Sequence, residues 1–202
     1  VYTGDQVDDF PQDVDYLVGA LGDINAPLGT FAIPGNHDVY AGWDSVRQRM
    51  SAAGMIVLVN ESVPIERDGG RIWLAGTGDP AGQGWKRDGG SNVAPDIDRT
   101  LRGVPDGELT IALAHNPMLW PELAKRGVEL TLSGHTHYGQ LAIPRWNWNI
   151  AGVFLELSMG SHRSDDSQLY ISPGTNYWGI PLRIGTPPEV TVLTLARDPA
   201  PS

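Results

Sequence analysis

The sequence contains no cysteine. That absence removes disulfides, thiolate zinc sites and cysteine nucleophiles together, and it leaves the redox compartment undecided. Cations are scarce as well: 14 Lys and Arg stand against 24 Asp and Glu, a formal net charge of −10 over 202 residues. A diffuse acidic surface argues against a protein whose main partner is the phosphate backbone of nucleic acid. It suits a site that gathers divalent cations. No apolar run approaches the length of a membrane-spanning helix, and no signal-peptide pattern is present. No internal period marks a repeat protein. The 41% of residues that are hydrophobic suffice for one domain with a sizeable core.

Against this background the most informative stretch is Pro34-Gly35-Asn36-His37-Asp38, directly after the apolar run Phe31-Ala32-Ile33. The order places it where a short buried strand ends and the chain turns. Asn36 offers a neutral amide oxygen, a hard ligand for a divalent metal. His37 offers an imidazole that gives or takes a proton near neutral pH. Asp38 is expected to hold that imidazole in one tautomer by accepting its other N–H. The plainer alternative is a turn in which Asn tolerates left-handed φ and Asp caps the next helix.

Three further stretches supply partners. Gly4-Asp5 follows the apolar end Val1-Tyr2-Thr3, and a carboxylate there can bridge two metals through its two oxygens. His115 ends the apolar run 109–114, beside the strand-breaking Pro117. His135 and His137 follow the run 130–133; at i and i+2 of an extended segment both would face one metal cluster. Four of the five histidines therefore sit at the ends of apolar strands. The fifth, His162, lies in a Ser- and Asp-rich stretch and reads as solvated. Because Val1 to Thr3 reads as the end of a core strand, the N-terminus is expected to be truncated.

The rest reads as alternating strands and helices. Helices are expected over 13–21 (stopping at Gly22), 43–53, near 96–101 and over 117–125. Short strands are expected over 55–59 and 62–66, with Asp68-Gly69-Gly70 turning into a strand over 71–75. Further strands are expected over 141–143, 168–171 and 190–196, and a frayed tail over 198–202. The loop 78–95, with Trp85, Lys86 and Arg87, reads either as plain surface or as a lid whose Trp and cations touch substrate. The aromatic stretch Pro144-Arg145-Trp146-Asn147-Trp148 reads as packing rather than as a membrane anchor or substrate wall.

Gly4-Asp5 with Asp8, Gly35-Asn36-His37-Asp38, His115 and Gly134-His135-Thr136-His137, in that order, resemble the calcineurin-like metallophosphoesterase superfamily. The continuation Tyr138-Gly139-Gln140, with Pro181-Leu182-Arg183 and Pro187-Pro188-Glu189, is similar to a branch of bacterial phosphodiesterases that are often secreted or membrane-attached. The resemblance implies an α/β fold of two packed mixed sheets flanked by helices, as a single domain over 1–197. It also implies two divalent ions, Mn, Fe or Zn. Asp5 would bridge them, Asn36, His115 and His135 would complete one site, and His137 would serve the other. His37 would protonate the leaving oxygen or stabilise the phosphoryl oxygens, oriented by Asp38.

Two departures stand out. The branch carries Gly where this chain has Tyr138, so a ring is expected to narrow the site mouth. The superfamily's Asp-x-His motif occurs nowhere in the sequence, which leaves the second metal site incomplete. The expected activity is hydrolysis of a small-molecule or lipid-type phosphoester. The rivals are a metal-deficient binding domain without turnover and a nuclease of the same superfamily.

Overall fold

The computed structural model describes residues 1–21, 26–84 and 91–196. Two short strands, β1 (Phe31–Ala32) and β2 (Ile56–Val57), pair in parallel, and Tyr2 bridges to Ala32 on the other side. The second sheet is larger. Asp68 and Gly69, both at positive φ, close the hairpin between β3 (Glu61–Arg67) and β4 (Gly70–Gly76), as the Asp-Gly-Gly sequence demands. Next come β5 (Thr110–Leu113), β6 (Leu130–Ser133), β9 (Gly160–Ser164) and β10 (Ser167–Ile171), giving the order β3-β4-β5-β6-β10-β9. The inner four strands are parallel and both edge strands antiparallel, so the architecture is mixed α/β with a six-stranded mixed sheet.

Phe31, Ile33 and Leu58 from the small sheet pack on Leu74, Ile111 and Leu113 from the large one, which sets the two sheets face to face. Helices cover the outer faces. On the small sheet, α1 (Val14–Leu21) and α2 (Asn36–Ala52) bury Val14, Trp43, Val46 and Met50 against Ala32 and Val57. On the large one, α3 (Ile97–Leu101) and α4 (Trp120–Lys125) set Leu101 and Leu123 against Ala112 and Ala114. The parallel strands end together at one edge. That edge is where an open α/β sheet places its ligands.

Several expectations need correction. Asn36-His37-Asp38 is the first turn of α2, not a turn ahead of a helix beginning near 43; Gly42, at φ 110°, kinks the helix there and hides the continuity. His162 is not in a solvated loop but on the edge strand β9, with Nε2 bonded to the Met159 carbonyl and the ring 6.4 Å from Trp120. Residues 190–196 form no strand, because nothing among the described residues pairs with them, and Val190 and Val192 stand exposed. Trp146 and Trp148 do not pack: they project from the hairpin of β7 (Ala142–Ile143) and β8 (Trp148–Asn149) with both rings exposed. The stop at Gly22, the lid residues Trp85, Lys86 and Arg87, and the tail 198–202 lie outside the described residues.

Candidate metal centre

Four donor atoms from four separate elements converge at the strand edge. His115 Nε2 lies 3.0 Å from Asp5 Oδ2, 3.2 Å from Asn36 Oδ1 and 3.3 Å from His135 Nδ1, and the last is 2.8 Å from Asn36 Oδ1. These separations approach the ~3.4 Å edge of a tetrahedron whose bonds are ~2.1 Å, the shell that His and carboxylate ligands form around Zn²⁺. Two imidazole nitrogens this close cannot both present lone pairs to each other. A hydrogen or a metal ion has to stand between them, the first in the metal-free chain and the second in the loaded one. Burial would lower the His115 pKa, yet the facing Asp5 carboxylate holds it up at about 9. Burial would likewise raise Asp5, and the His115 charge outweighs that and holds it at about 2.

The backbone explains the convergence. His115 is 1% exposed, and its Nδ1 meets the Thr3 carbonyl oxygen at 2.7 Å. An oxygen there can only accept, so Nδ1 carries the hydrogen and Nε2 is directed at Asp5 and Asn36. Asp5 sits in the left-handed region at φ 54°, a conformation that Asp tolerates better than most side chains and that a tie holds here. The tie is the His37 N–H, which donates to Asp5 Oδ1 at 2.9 Å. A Cβ on Gly35 would fall 2.2 Å from that same oxygen, and one on Gly4 would fall 2.4 Å from His115 Nδ1. Gly35 is set by close approach alone, and Gly4 by close approach together with its φ of 96°.

Asp38 does not orient His37. Its buried carboxylate accepts from the backbone N–H groups of Asp5, Gln6, Val7 and Gly35 at 2.8 to 3.2 Å, stapling the Asp5 turn to the start of α2. At the third helical position it also performs the capping that the plainer sequence reading allowed. Burial, with the nearby Asp5 charge, pushes its carboxyl up to about 7, while the amide bonds pull the other way. Asp38→Ala would leave four amides unsatisfied. It should lower the unfolding free energy by roughly 3–5 kcal/mol, read by urea titration of the metal-free protein. A loss below ~1 kcal/mol would show that water replaces the staple.

The orienting partner of His37 is Asp8. Its carbonyl oxygen lies 3.0 Å and its Oδ1 3.1 Å from His37 Nδ1, so that nitrogen carries the hydrogen. The His37 ring meets Tyr40 and Trp178 edge-on, at centroid distances of 5.9 and 6.2 Å.

His135 and His137 reach the crevice by a route the i, i+2 argument did not foresee. The segment is a tight turn, not extended chain, with His135, His137, Tyr138 and Gln140 all at positive φ. Such a run costs on the order of 1–2 kcal/mol per residue, a strain typical of functional sites. The His137 Nδ1 is buried with no hydrogen-bond partner, as expected of a donor atom made for a metal. Burial first, then the His115 charge, lowers His135 to about 4; burial does the same for His137, so both are neutral and able to ligate at pH 7. Tyr138 does not narrow the mouth: it turns inward, donating to the Ile171 carbonyl and accepting from the Gly160 N–H.

Asp5, Asn36, His37, His135 and His137 line one crevice of about 670 Å³, together with Leu155, Trp178 and Ile180. Two residues escaped sequence reasoning: Trp178 in the crevice lining, and Asp79, which interacts with His115 without lining the crevice. Asp79 is buried, feels the His115 charge and has one carboxylate oxygen without a partner. Its signal was present, since Gly78-Asp79 follows an apolar strand just as Gly4-Asp5 does. Trp178 had no such signal, because its place beside His37 depends on a distant loop folding back.

The family model for calcineurin-like phosphoesterases matches residues 1–139. An uncharacterized metallophosphoesterase of Helicobacter pylori is 36% identical over 193 residues, covering 95% of this chain and 49% of the relative. One from Aquifex aeolicus is 33% identical over 196 residues, covering 96% and 71%. The solved NAD nucleotidase of Haemophilus influenzae superposes with TM-score 0.49 at 18% identity, over 82% of this chain and 33% of that one. The chain thus spans about half the length of the Helicobacter relative and about 71% of the Aquifex one. With the ordered motifs and the convergent donors, the match over residues 1–139 settles the family: the chain belongs to the calcineurin-like phosphoesterases.

Proposed function

We propose that this chain is a metal-dependent phosphoesterase that holds one divalent ion through Asp5, Asn36, His115 and His135, with His137 turned to a second. The observation that carries the reading is the convergence of four donor atoms at 2.8 to 3.3 Å. Two imidazoles, an amide oxygen and a carboxylate form a mixed set suited to Zn²⁺, Mn²⁺ or Fe²⁺ more than to Ca²⁺. A bound ion of this kind supplies Lewis acidity and lowers the pKa of water at the site to ~7.

The chain's own residues supply the rest. The Asp38 staple and the His37 N–H fix Asp5 in its left-handed turn. His37, held at Nδ1 by Asp8, can give a leaving oxygen the Nε2 proton of its imidazolium form and become the neutral Nδ1–H ring. Trp178 and Ile180 wall off one side of the crevice and limit water there. The substrate class is a phosphoester, because a cationic cluster beside a proton donor matches the charge that builds on phosphoryl oxygens during transfer.

The test is metal content per chain after dialysis, beside hydrolysis of bis(p-nitrophenyl) phosphate. About one tightly held ion and measurable turnover are expected, the count following from four ligands in one shell. Loading must expel the His115 proton, whose pKa is about 9. Below that pH the metal competes with a proton, so apparent affinity should climb ~10-fold per pH unit from pH 6 towards 9. Tight metal with no hydrolysis would instead make this a binding domain, and no metal at all would overturn the ligand set.

A further inference from the structure

We propose that the apolar rim of the crevice is a membrane-docking face that sets the mouth of the site against the headgroups of a lipid bilayer. The inference rests on the phosphoesterase reading for the chemistry, but not for the docking. Three rim segments are tied to the turn that carries His137. Gln140 holds the 178–180 loop by accepting from Trp178 N–H and donating to the carbonyls of Trp178 and Ile180. Ile184 pairs with Leu141, at the base of the β7–β8 hairpin. Ile150 packs so close to Gly139 that a Cβ there would meet it at 2.3 Å. The rim and the site are one structural unit.

This unit presents its large side chains to solvent. Phe154 is 83% exposed, Trp146 and Ile180 71% each, Val153 63% and Leu182 56%. Scattered apolar residues are ordinary on a surface, but a cluster around a site mouth marks an interaction face. Two observations single out a bilayer as the occupant. The first is charge. Residues 138–155 and 173–188 contain two arginines, Arg145 and Arg183, and no Asp or Glu, whereas the remainder of the chain has 12 cationic residues against 24 acidic ones. An acidic protein has left these two rim segments, which end just before Glu156 and Glu189, uncharged to slightly positive, which complements anionic headgroups. Its Trp and Tyr content is that of residues that settle at the boundary between headgroups and acyl chains. The second is position. A protein seated on the rim would cover the crevice, while a bilayer brings phosphoesters to it.

The experiment is co-sedimentation of the intact chain with vesicles, in EDTA so that metal and turnover play no part. Vesicles of phosphatidylethanolamine with phosphatidylglycerol are compared with vesicles of phosphatidylcholine alone. The wild type should partition onto the first and less onto the second. The double variant Trp146→Ser/Phe154→Ser should lose ~10-fold or more of that partition, since each removes a large apolar side chain from the boundary. Neither residue touches the metal ligands or His37, so hydrolysis of bis(p-nitrophenyl) phosphate should stay within about twofold of wild type. A wild type that stays in the supernatant, or a double variant that sediments like wild type, would overturn the proposal. So would a concentration-dependent dimer abolished by the same substitutions, which would make the rim an interface between copies. Vesicle binding without hydrolysis of the small diester would uphold the docking face and overturn the phosphoesterase reading instead.

Discussion

Replacing His115 by alanine is expected to remove bound metal and hydrolysis together. Its Nε2 is the hub of the cluster, within 3.3 Å of a donor atom on each of Asp5, Asn36 and His135. If a four-ligand site binds with ~10–16 kcal/mol, one ligand is worth on the order of 3 kcal/mol, so affinity should fall ~10²-fold or more, with turnover following it. The variant also disturbs the metal-free chain, because His115 neutralises the partly buried Asp5 carboxylate there. Without it, burial should push the Asp5 carboxyl upward from about 2. Asn36→Ala separates the two effects: it deletes a neutral ligand on the first turn of a helix and leaves the Asp5–His115 pair in place. Calorimetric titration with Mn²⁺ or Zn²⁺ should show both variants weakened by similar factors, with His115→Ala alone unfolding at lower denaturant. Unchanged affinity in either variant would remove that residue from the ligand set.

Why the sequence points to these candidate donors, and not to the orientation of their neighbours, has a physical cause. Asn36, His115 and His135 each follow an apolar run, and a run long enough to cross a sheet ends where open α/β sheets place their ligands. Residue type and position along the strand were therefore enough. The orientation of each side chain depends on contacts far away in sequence. The carbonyl that fixes the His115 tautomer belongs to Thr3, 112 positions earlier. Asp38 and His37 are adjacent, so pairing them was the simplest guess. On the first turn of a helix, however, neighbouring side chains diverge by about 100°. Asp38 points inward to four amides, while His37 points outward to Asp8.

The fold shows the same division. Hairpin chemistry at Asp68-Gly69 and the 3.6-residue spacing of α1 act locally and were read correctly. The stretch from Tyr138 to Met159 obeys no period. Its conformation follows from positive φ at five residues between 135 and 140, a feature no hydrophobic pattern encodes. The reading of Trp146 and Trp148 as packing failed for a related reason. Large aromatic residues are usually core, and only the tertiary position of the hairpin shows these two exposed.

His37→Ala should do what no ligand substitution does: lower kcat while leaving the metal in place. The His37 side chain is absent from the donor cluster, and the contact that holds Asp5 comes from the His37 backbone N–H, which alanine retains. Metal content and the Asp5 geometry should therefore survive. The variant loses the imidazole whose Nδ1 is anchored by Asp8, and with it the Nε2 proposed to protonate the leaving oxygen. A positioned acid of this kind contributes ~10²–10⁴-fold when the leaving oxygen needs a proton, and little when it does not. The sharp test compares two diesters that differ only in leaving group. With an alkoxide leaving group His37→Ala should lose kcat by ~10²-fold or more, whereas p-nitrophenolate, which departs without a proton, should lose less than ~10-fold. Asp8→Asn, which keeps a carbonyl oxygen near Nδ1 but removes the carboxylate that anchors the ring, should fall between these limits. Equal losses for both leaving groups would assign His37 to stabilising the phosphoryl oxygens instead. Loss of metal in His37→Ala would make it a ligand and break the division between the four convergent donors and the acid beside them.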